Sequence, residues 1–232
     1  MSWTEQPIHF VDFEGNRTSG ILEFGVATVE KGQVVSARTR LCRASGRIRA
    51  EDTAVHGIAE QALGNAAPFA LEWEYFADLR EHGPLAAHFA GTENSLLKAV
   101  WPYPRLSPDF ARPGEQLADW GPWIDTGALY AQLYPQLPSG KLETLVADCG
   151  LQAELDALAL RHCPADRRHY HAALYDALAG ALLLAALARD ASLAALSTPQ
   201  LITLSTLDGD KRDALQQRTL WRASGRPFAT IR

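Results

Sequence analysis

The chain has 232 residues, of which 47% are hydrophobic, and a formal net charge of −5. This length fits one domain with an appendage, and the composition supports an ordinary buried core. The negative charge excludes a protein that binds nucleic acid over its whole surface. Residues 177–188 are rich in Ala and Leu but fall short of the roughly 18 residues of a membrane span.

The three cysteines are odd in number and widely spaced, at Cys42, Cys149 and Cys163. This spacing argues against a disulfide framework and against a structural zinc site. The first residues lack the basic patch and apolar run of a signal peptide. We therefore predict a protein of the reducing cytoplasm.

Two carboxylates follow an apolar, β-favouring segment at residues 8–14. Side chains alternate faces along a strand, so Asp12 and Glu14 point the same way and Phe13 points to the other face. Adjacent carboxylates repel each other and stay ionised together only beside a cation. A divalent metal ion would satisfy them, because hard cations prefer oxygen ligands. The alternative is an ordinary strand whose end is solvated.

The remaining pattern begins with strands and then alternates strands with helices. Segments 21–29 and 33–41 are predicted to form a hairpin after the first strand. Helices are predicted at 50–63, 69–81, 94–101, 127–134, 142–149, 154–160, 171–189 and 210–221, and strands at 84–90, 120–124 and 201–207. This order indicates a mixed sheet covered by helices.

Further acidic side chains and a histidine stand where elements begin. Thr92 is a predicted N-cap, which places Glu93 in the first turn of a helix, where the helix dipole favours a carboxylate. His171 and Asp176 begin the strongest predicted helix. Asp176 lies among Ala and Leu residues, so either it is buried with a metal or another cation beside it, or it is exposed after all.

These segments together resemble the DEDDh-type 3′-to-5′ exonucleases. That family includes the proofreading subunit of the bacterial replicative polymerase, oligoribonuclease and ribonuclease T. Its three motifs match Asp12-Phe13-Glu14, the segment 87–93 that ends in Glu93, and His171 followed by Asp176. The His-Gly-Ile segment at 56–58, Ile-Asp-Thr at 124–126 and residues 141–145 are also similar to the family. The resemblance covers roughly residues 7–187.

The resemblance implies an RNase H-like three-layer α/β fold, with a mixed five-stranded sheet whose first three strands are antiparallel. Residues 1–197 would form the exonuclease domain, and residues 198–232 a C-terminal extension packed on it. The implied chemistry is two-metal hydrolysis of a phosphodiester, with Mg²⁺ or Mn²⁺ as the two divalent cations. The implied metal ligands are Asp12, Glu14, Glu93 and Asp176. His171 would be the general base, a role that suits imidazole near neutral pH.

Two residues depart from the pattern of the family. Glu93 replaces the usual metal-binding Asp, and its side chain is one methylene longer. Phe89 replaces an Asn, so that a polar contact is lost and a stacking surface is gained. We expect the backbone of Phe13 to border the terminal nucleotide, and Phe89 and His56 to stack on or wedge against terminal bases, with core packing as the alternative for each. Stacking on aromatic rings suits recognition of single strands without sequence preference.

The first functional prediction is a 3′-to-5′ exonuclease acting on single-stranded DNA ends, with RNA ends as a possible substrate and no membrane partner. An oligoribonuclease-like RNA exonuclease is a second prediction, and a nucleic-acid-binding module with weakened catalysis is a third. Residues 200–204 faintly resemble the peptides by which repair enzymes bind a sliding clamp. Arginines cluster at 38–49, 161–168 and 212–226, either as a track for nucleic acid or as solvated surface residues.

Overall fold

A mixed five-stranded sheet forms the centre of the computed structural model, which describes residues 2–206. The strands are β1 (Ile8–Asn16), β2 (Gly20–Glu30), β3 (Gln33–Leu41), β4 (Leu85–Ala87), β5 (Ser107–Pro108), β6 (Gln116–Leu117) and β7 (Ile124–Asp125). The sheet has the order β3-β2-β1-β4-β7, and β5 and β6 form a separate small pair. β1, β2 and β3 are antiparallel, whereas β4 and β7 run parallel to β1. The predicted α/β class and the three leading antiparallel strands are confirmed.

Helices cover both faces of this sheet. They are α1 (Ala50–His56), α2 (Trp73–His82), α3 (Gly91–Val100), α4 (Thr126–Leu133), α5 (Leu142–Asp148), α6 (Gln152–His162), α7 (Ala173–Leu187), α8 (Ala191–Ala194) and α9 (Thr198–Leu204). No helix within residues 2–206 combines the length and the apolarity that a membrane crossing demands.

Helix α7 packs against β1, β2 and β3 and is buried along nearly its whole length. Two glycines permit this close approach. A Cβ atom at Gly180 would lie 2.0 Å from Cζ of Phe10, and one at Gly25 would lie 2.2 Å from the carbonyl oxygen of Ala173. Because neither position has room for a side chain, the helix can rest directly on β2 and on β1, the strand that carries Asp12 and Glu14.

An aromatic cluster fills the opposite face of the sheet. The Phe76 ring lies 5.1 Å from Phe69, 5.5 Å from Phe24 and 5.9 Å from Trp101, measured between ring centroids. Trp120 is fully buried in the same cluster. Large aromatic side chains bury much apolar area each, so this cluster anchors α2 and the long loop to the sheet.

The long loop between α3 and β7 is held by a buried cation. Arg80 of α2 donates hydrogen bonds to the carbonyl oxygens of Trp120, Pro108 and Gly121, at 3.2, 2.7 and 2.7 Å. The Arg80 guanidinium also lies 5.1 Å from the Phe110 ring centroid. These contacts tie the carbonyl groups of three loop residues to α2.

Several predicted boundaries are corrected. The helix predicted over 50–63 stops at His56, because Gly57 adopts a left-handed conformation with φ of 72°. The strand predicted over 120–124 shrinks to Ile124–Asp125. The N-cap of α3 is Ala90 rather than Thr92, although Glu93 still lies in the first turn.

The strand predicted over 201–207 is wrong within the described chain, because residues 198–204 form α9. Ser197 and Gln200 make a capping box that starts this helix, and that local signal outweighs the β-favouring composition. Leu201 and Ile202 are buried in the main core. The segment that resembles a clamp-binding peptide is therefore not exposed, and clamp binding has no support. The helix predicted over 210–221 lies outside the described residues, and the predicted boundary at residue 197 stays a prediction.

Candidate active site

Strand β1 presents the two carboxylates of the first motif, Asp12 and Glu14, on one face and the ring of Phe13 on the other. Asp12 and Glu14 lie on the same side of the strand as Phe10, which packs against α7. The Phe13 ring is buried on the other side, 5.4 Å from Phe69 between ring centroids. The Phe13 ring therefore packs in the core, and the predicted contact between its backbone and the substrate stays a prediction.

The start of α7 lies directly above Asp12. The antiparallel partner of Asp12 on β2 is Gly25, the position at which any Cβ would collide with the Ala173 carbonyl. This close approach carries Asp176, in the first turn of α7, towards the carboxylates of β1. A side chain at position 25 would displace the helix and separate the first motif from the third.

Glu14, His171 and Asp176 form a group whose ligand atoms lie within 4.8 Å of one another. It is the one such group of three or more acidic, histidine or cysteine side chains found in residues 2–206. The His171 backbone NH donates a 3.0 Å hydrogen bond to Oδ2 of Asp176. His171 has a φ of 64°, and its side chain is exposed. Neutral imidazole and carboxylate oxygens are suitable ligands for several divalent metals.

Glu93 approaches the same region from the start of α3, after β4. Its side chain is 5% exposed, and burial together with the charge of Asp125 raises its pKa to about 8. The charge of Glu93 contributes to the raised pKa of Asp12. The carboxylate of the second motif therefore interacts electrostatically with a carboxylate of the first. Glu93 is not among the three side chains whose ligand atoms lie within 4.8 Å of one another, and its role as the metal ligand of the second motif stays a prediction.

Burial and mutual repulsion raise the pKa values of the other three carboxylates. Burial raises the pKa of Asp12 well above its usual range, and the charges of Asp176 and Glu14 raise it further. Burial and the charges of Asp176 and Glu23 raise the pKa of Glu14 to about 8. The pKa of Asp176 is raised to about 7, chiefly by burial. Four carboxylates are thus held where ionisation is costly without a cation.

The donor set fits divalent metal ions. In the described part of the chain, Oε2 of Glu93 and Oδ1 of Asp176 are buried and have no hydrogen-bond partner. Buried polar atoms without partners are rare and require an explanation. Metal ions would coordinate these oxygens and remove the repulsion between the carboxylates.

The raised pKa values predict an unusual dependence of stability on pH in the presence of a chelator. Between pH 4.5 and 8, Glu14 and Glu93 hold protons in the folded state that the unfolded chain has released. The free energy of unfolding therefore falls as pH rises through this range. His9 acts oppositely, since burial lowers its pKa to about 4, but its effect ends near pH 6.5. We expect Tm to fall from pH 5 to pH 8, by about 2–4 °C for each kcal/mol of stability lost.

Calorimetric unfolding at pH 5, 6.5 and 8 checks this trend. Saturating Mn²⁺ should remove the fall in Tm, because the metal favours the ionised carboxylates. A Tm that rises steadily to pH 8 in chelator would contradict the buried carboxylate cluster.

The two remaining substrate-contact candidates differ in exposure. Phe89 is 51% exposed and has a φ of 61°, and its backbone NH donates to Oδ1 of Asp125. His56 is 3% exposed, and its Nδ1 accepts a hydrogen bond from the NH of Ile58. A base can therefore stack on Phe89, whereas the predicted stacking on His56 is corrected by the burial of its ring. Asp125 also accepts a hydrogen bond from the NH of Ala128 and is the N-cap of α4.

The position of the Phe89 ring predicts that Gly127→Ala changes the free energy of unfolding in opposite directions when the ring is present and when it is absent. A Cβ at Gly127 would lie 2.6 Å from Cε1 of Phe89. Gly127→Ala should destabilise the protein by about 1–3 kcal/mol through overpacking. In a Phe89→Asn background the same change should stabilise α4 by about 0.5–1 kcal/mol, as Gly to Ala does in a helix. Urea unfolding of the four proteins measures this, and the same sign in both backgrounds would show that the ring lies elsewhere.

Sequence reasoning missed a buried ion pair beside the cluster. Arg167 donates through Nε and Nη2 to the carboxylate of Glu23, and both side chains are buried. Glu23 is the antiparallel partner of Glu14. The sequence did contain a signal for this ion pair, because Glu23 is a charged residue within the apolar run of β2 and a buried carboxylate needs a partner.

The arginine clusters serve partly structural roles. Arg38 and Arg40 form ion pairs with Glu72, and the Arg38 guanidinium lies 4.1 Å from the Tyr75 ring centroid. Arg167, in the second cluster, is buried rather than solvated. The third cluster lies outside the described residues. The described clusters therefore do not form a simple exposed track.

Comparison with solved structures agrees with this architecture. Exonuclease X, solved in complex with 5′-overhanging duplex DNA, matches with a TM-score of 0.58 and 20% identity over 84% of this chain and 99% of that chain. The nuclease domain of 3′hExo, a DEDDh family member bound to rAMP, matches with a TM-score of 0.58 and 14% identity over 82% and 96%. The chain has the fold of the DEDDh exonucleases.

Exonuclease I of E. coli, in complex with a dT13 oligonucleotide, shares the DEDDh fold with a TM-score of 0.55 and 12% identity. The match covers 79% of this chain and 41% of that one, so the chain spans about half the length of exonuclease I. A scan against protein-family models finds no match, and a search of curated protein sequences finds none either. The predicted RNase H-like fold of the DEDDh exonucleases is thus confirmed through structure rather than sequence similarity.

Proposed function

We propose that this protein is a metal-dependent 3′-to-5′ exonuclease that hydrolyses phosphodiester bonds at the 3′ end of single-stranded DNA. The observation that carries the proposal is a set of neighbouring carboxylates beside the exposed His171, two of which, Glu14 and Asp176, have ligand atoms within 4.8 Å of that histidine. Glu93 and Asp176 are buried, whereas Asp12 and Glu14 are half-buried, and Asp12 experiences the charges of the other three carboxylates. A structural role does not explain this cluster, because four neighbouring carboxylates with raised pKa values destabilise a fold without a cation.

The four carboxylates would hold two divalent cations, Mg²⁺ or Mn²⁺. When bound, these ions would supply an activated water and stabilise the negative charge of the leaving 3′ oxygen. The protein itself fixes the ligands on rigid elements, since Asp12 and Glu14 lie on β1 and Asp176 lies on α7. Glu93, in the first turn of α3, is the fourth proposed ligand. Such placement keeps the ligands in position before the substrate arrives.

His171 is the proposed general base. Its side chain is exposed, while its backbone NH is fixed by Asp176. An unprotonated ring nitrogen would take the proton from the attacking water. The neighbouring carboxylates would stabilise the imidazolium that results.

The surroundings of the cluster fit the end of a single strand. A cavity of about 390 Å³ lies between the turn after β1 and the start of α3. It is lined by Gly15, Asn16, Arg17, Gly91, Thr92, Ser95 and Leu96. The cavity is thus bounded by the residues that follow Glu14 and flank Glu93. We propose that it receives the 3′-terminal part of the substrate and that the exposed Phe89 ring stacks on a base.

The preference for DNA draws on the structural neighbours. Exonuclease X and exonuclease I were solved with DNA, whereas the 3′hExo nuclease domain was solved with rAMP. The two complexes with DNA support DNA as the proposed substrate, and RNA ends are the alternative substrate.

A gel assay with 5′-labelled single-stranded DNA and RNA of the same sequence tests this function. A ladder that shortens from the 3′ end with Mg²⁺ or Mn²⁺, but not with chelator, is the expected result. DNA should be degraded faster than RNA. An Asp176→Asn variant should be inactive, and a Glu60→Gln variant, which changes an exposed acid on the surface, should match the wild type. Folded protein that binds the oligonucleotides without shortening them would replace the exonuclease with a binding module.

A further inference from the structure

Arg167 is a buried cation that joins three separate parts of the chain. It lies in the short turn Ala165–Arg167 between α6 and α7 and is 8% exposed. Its Nη1 donates a 2.6 Å hydrogen bond to the carbonyl oxygen of His56, at the end of α1. Its Nη2 donates to the carbonyl oxygen of His171 at 3.3 Å and also to Oε2 of Glu23. The planar guanidinium can hold such divergent acceptors at once, which a single ammonium group cannot do.

Glu23 anchors this arginine and at the same time caps α7. Its Oε1 accepts a 3.3 Å hydrogen bond from Nε of Arg167, and its Oε2 accepts a 3.0 Å hydrogen bond from the backbone NH of Ala173. The N-cap residue of α7, Ala172, has no side chain able to make this bond. A carboxylate at a helix N-terminus satisfies free NH groups and interacts favourably with the helix dipole. With both oxygens engaged, Glu23 is not a free metal ligand although it lies opposite Glu14.

His171 is held on both sides of its backbone. Its NH donates to Asp176, and its carbonyl accepts from Arg167. Its φ of 64° is a left-handed conformation that residues other than glycine rarely adopt. Such a conformation persists only where surrounding contacts fix it. The two hydrogen bonds therefore fix the direction in which the imidazole leaves the backbone, towards Glu14 and Asp176.

We propose that Arg167, anchored by Glu23, is a positioning residue that holds His171 in its catalytic orientation. It does not touch the substrate and acts through the backbone of His171. This role rests on the proposed exonuclease activity. A purely structural ion pair would affect stability alone, whereas a positioning pair affects the proton-transfer step and depends on the presence of the His171 ring.

Arg167→Lys tests the role, because it keeps the charge and removes the branched set of donors. Arg189→Lys is the matched control, since Arg189 is exposed and pairs only with the surface residue Glu154 among the described residues. On 5′-labelled single-stranded DNA we expect kcat to fall by about 10- to 100-fold, with KM changed by less than about threefold. The affinity for Mn²⁺, measured by calorimetry, should stay within about threefold of the wild type, because Arg167 contacts no proposed ligand side chain directly.

The decisive comparison is in a His171→Ala background, where Arg167→Lys should cause no further loss of kcat. An equal loss with and without the imidazole would overturn the positioning role. An equal loss of Mn²⁺ affinity would overturn it as well, because it would assign Arg167 to the metal site.

Amide hydrogen exchange separates failure of this inference from failure of the proposed function. In Arg167→Lys, the NH groups of His171 and Ala173 should exchange at least about tenfold faster than in Arg189→Lys, whether or not the protein cleaves DNA. Unchanged exchange would show that Arg167 does not hold this segment. If Arg167→Lys does not fold, the double variant Glu23→Gln/Arg167→Met repeats the measurements without a buried unpaired charge. Failure of both variants to fold would overturn the inference, because the pair would then be part of the folding core.

Discussion

Replacing His171 with alanine should lower turnover on single-stranded DNA by about 10²- to 10⁴-fold, the usual contribution of a general base, if His171 has the proposed role. The protein keeps its fold, because the His171 side chain is exposed and only its backbone is engaged in hydrogen bonds. The four carboxylates remain, so Mn²⁺ should still raise Tm. Steady-state kinetics with Mn²⁺, combined with thermal unfolding with and without the metal, measures both effects.

His82→Ala is the matched control for this variant. His82 is also exposed, and it lies at the end of α2 with its ring bonded to the carbonyl oxygen of Asp78. The His82→Ala variant should retain full turnover. If His171→Ala is as active as His82→Ala, a group other than His171 accepts the proton.

Replacing Asp12 with asparagine should abolish turnover and, in chelator at pH 8, raise Tm. The gain in stability follows from the repulsion that Asp12 experiences from Asp176, Glu14, Glu93 and Glu23, since asparagine carries no charge. The wild type should gain about 2.7 kcal/mol from Mn²⁺ at 100 times its dissociation constant, or about 5–11 °C in Tm. Asp12→Asn should lose most of this gain.

Thermal unfolding in chelator and in Mn²⁺ gives both numbers from one set of samples. Glu60→Gln, which removes an exposed carboxylate, should change neither. An Asp12→Asn protein that is less stable than the wild type in chelator would indicate that Asp12 has a structural role. Asp12 would then no longer be a proposed metal ligand.

Local patterns account for most of what the sequence could predict. Asp12 and Glu14 could be assigned to one face because a strand alternates with a period of two. The start of α7 was predictable to within two residues from its Ala and Leu content. The overlooked capping box at Ser197 shows that a local signal can be present and still be outweighed by composition.

Long-range packing accounts for what the sequence could not predict. Arg167 and Glu23 are 144 positions apart, and only the packing of α7 on β2 brings them together. The burial of Phe13 depends likewise on Phe69 and Phe76, which come from a different element. A stacking surface and a core ring have the same sequence signature, so exposure had to come from the structure.

The identity of the first product released from single-stranded DNA tests the central claim most directly. The substrate is an oligonucleotide whose 3′-terminal base occurs nowhere else in it, incubated with Mn²⁺ and analysed by mass spectrometry. Because the proposed leaving group is the 3′ oxygen of the preceding nucleotide, the first product should be the 5′-monophosphate of the terminal nucleoside. A 3′-monophosphate, a product from the 5′ end or internal fragments would contradict the account.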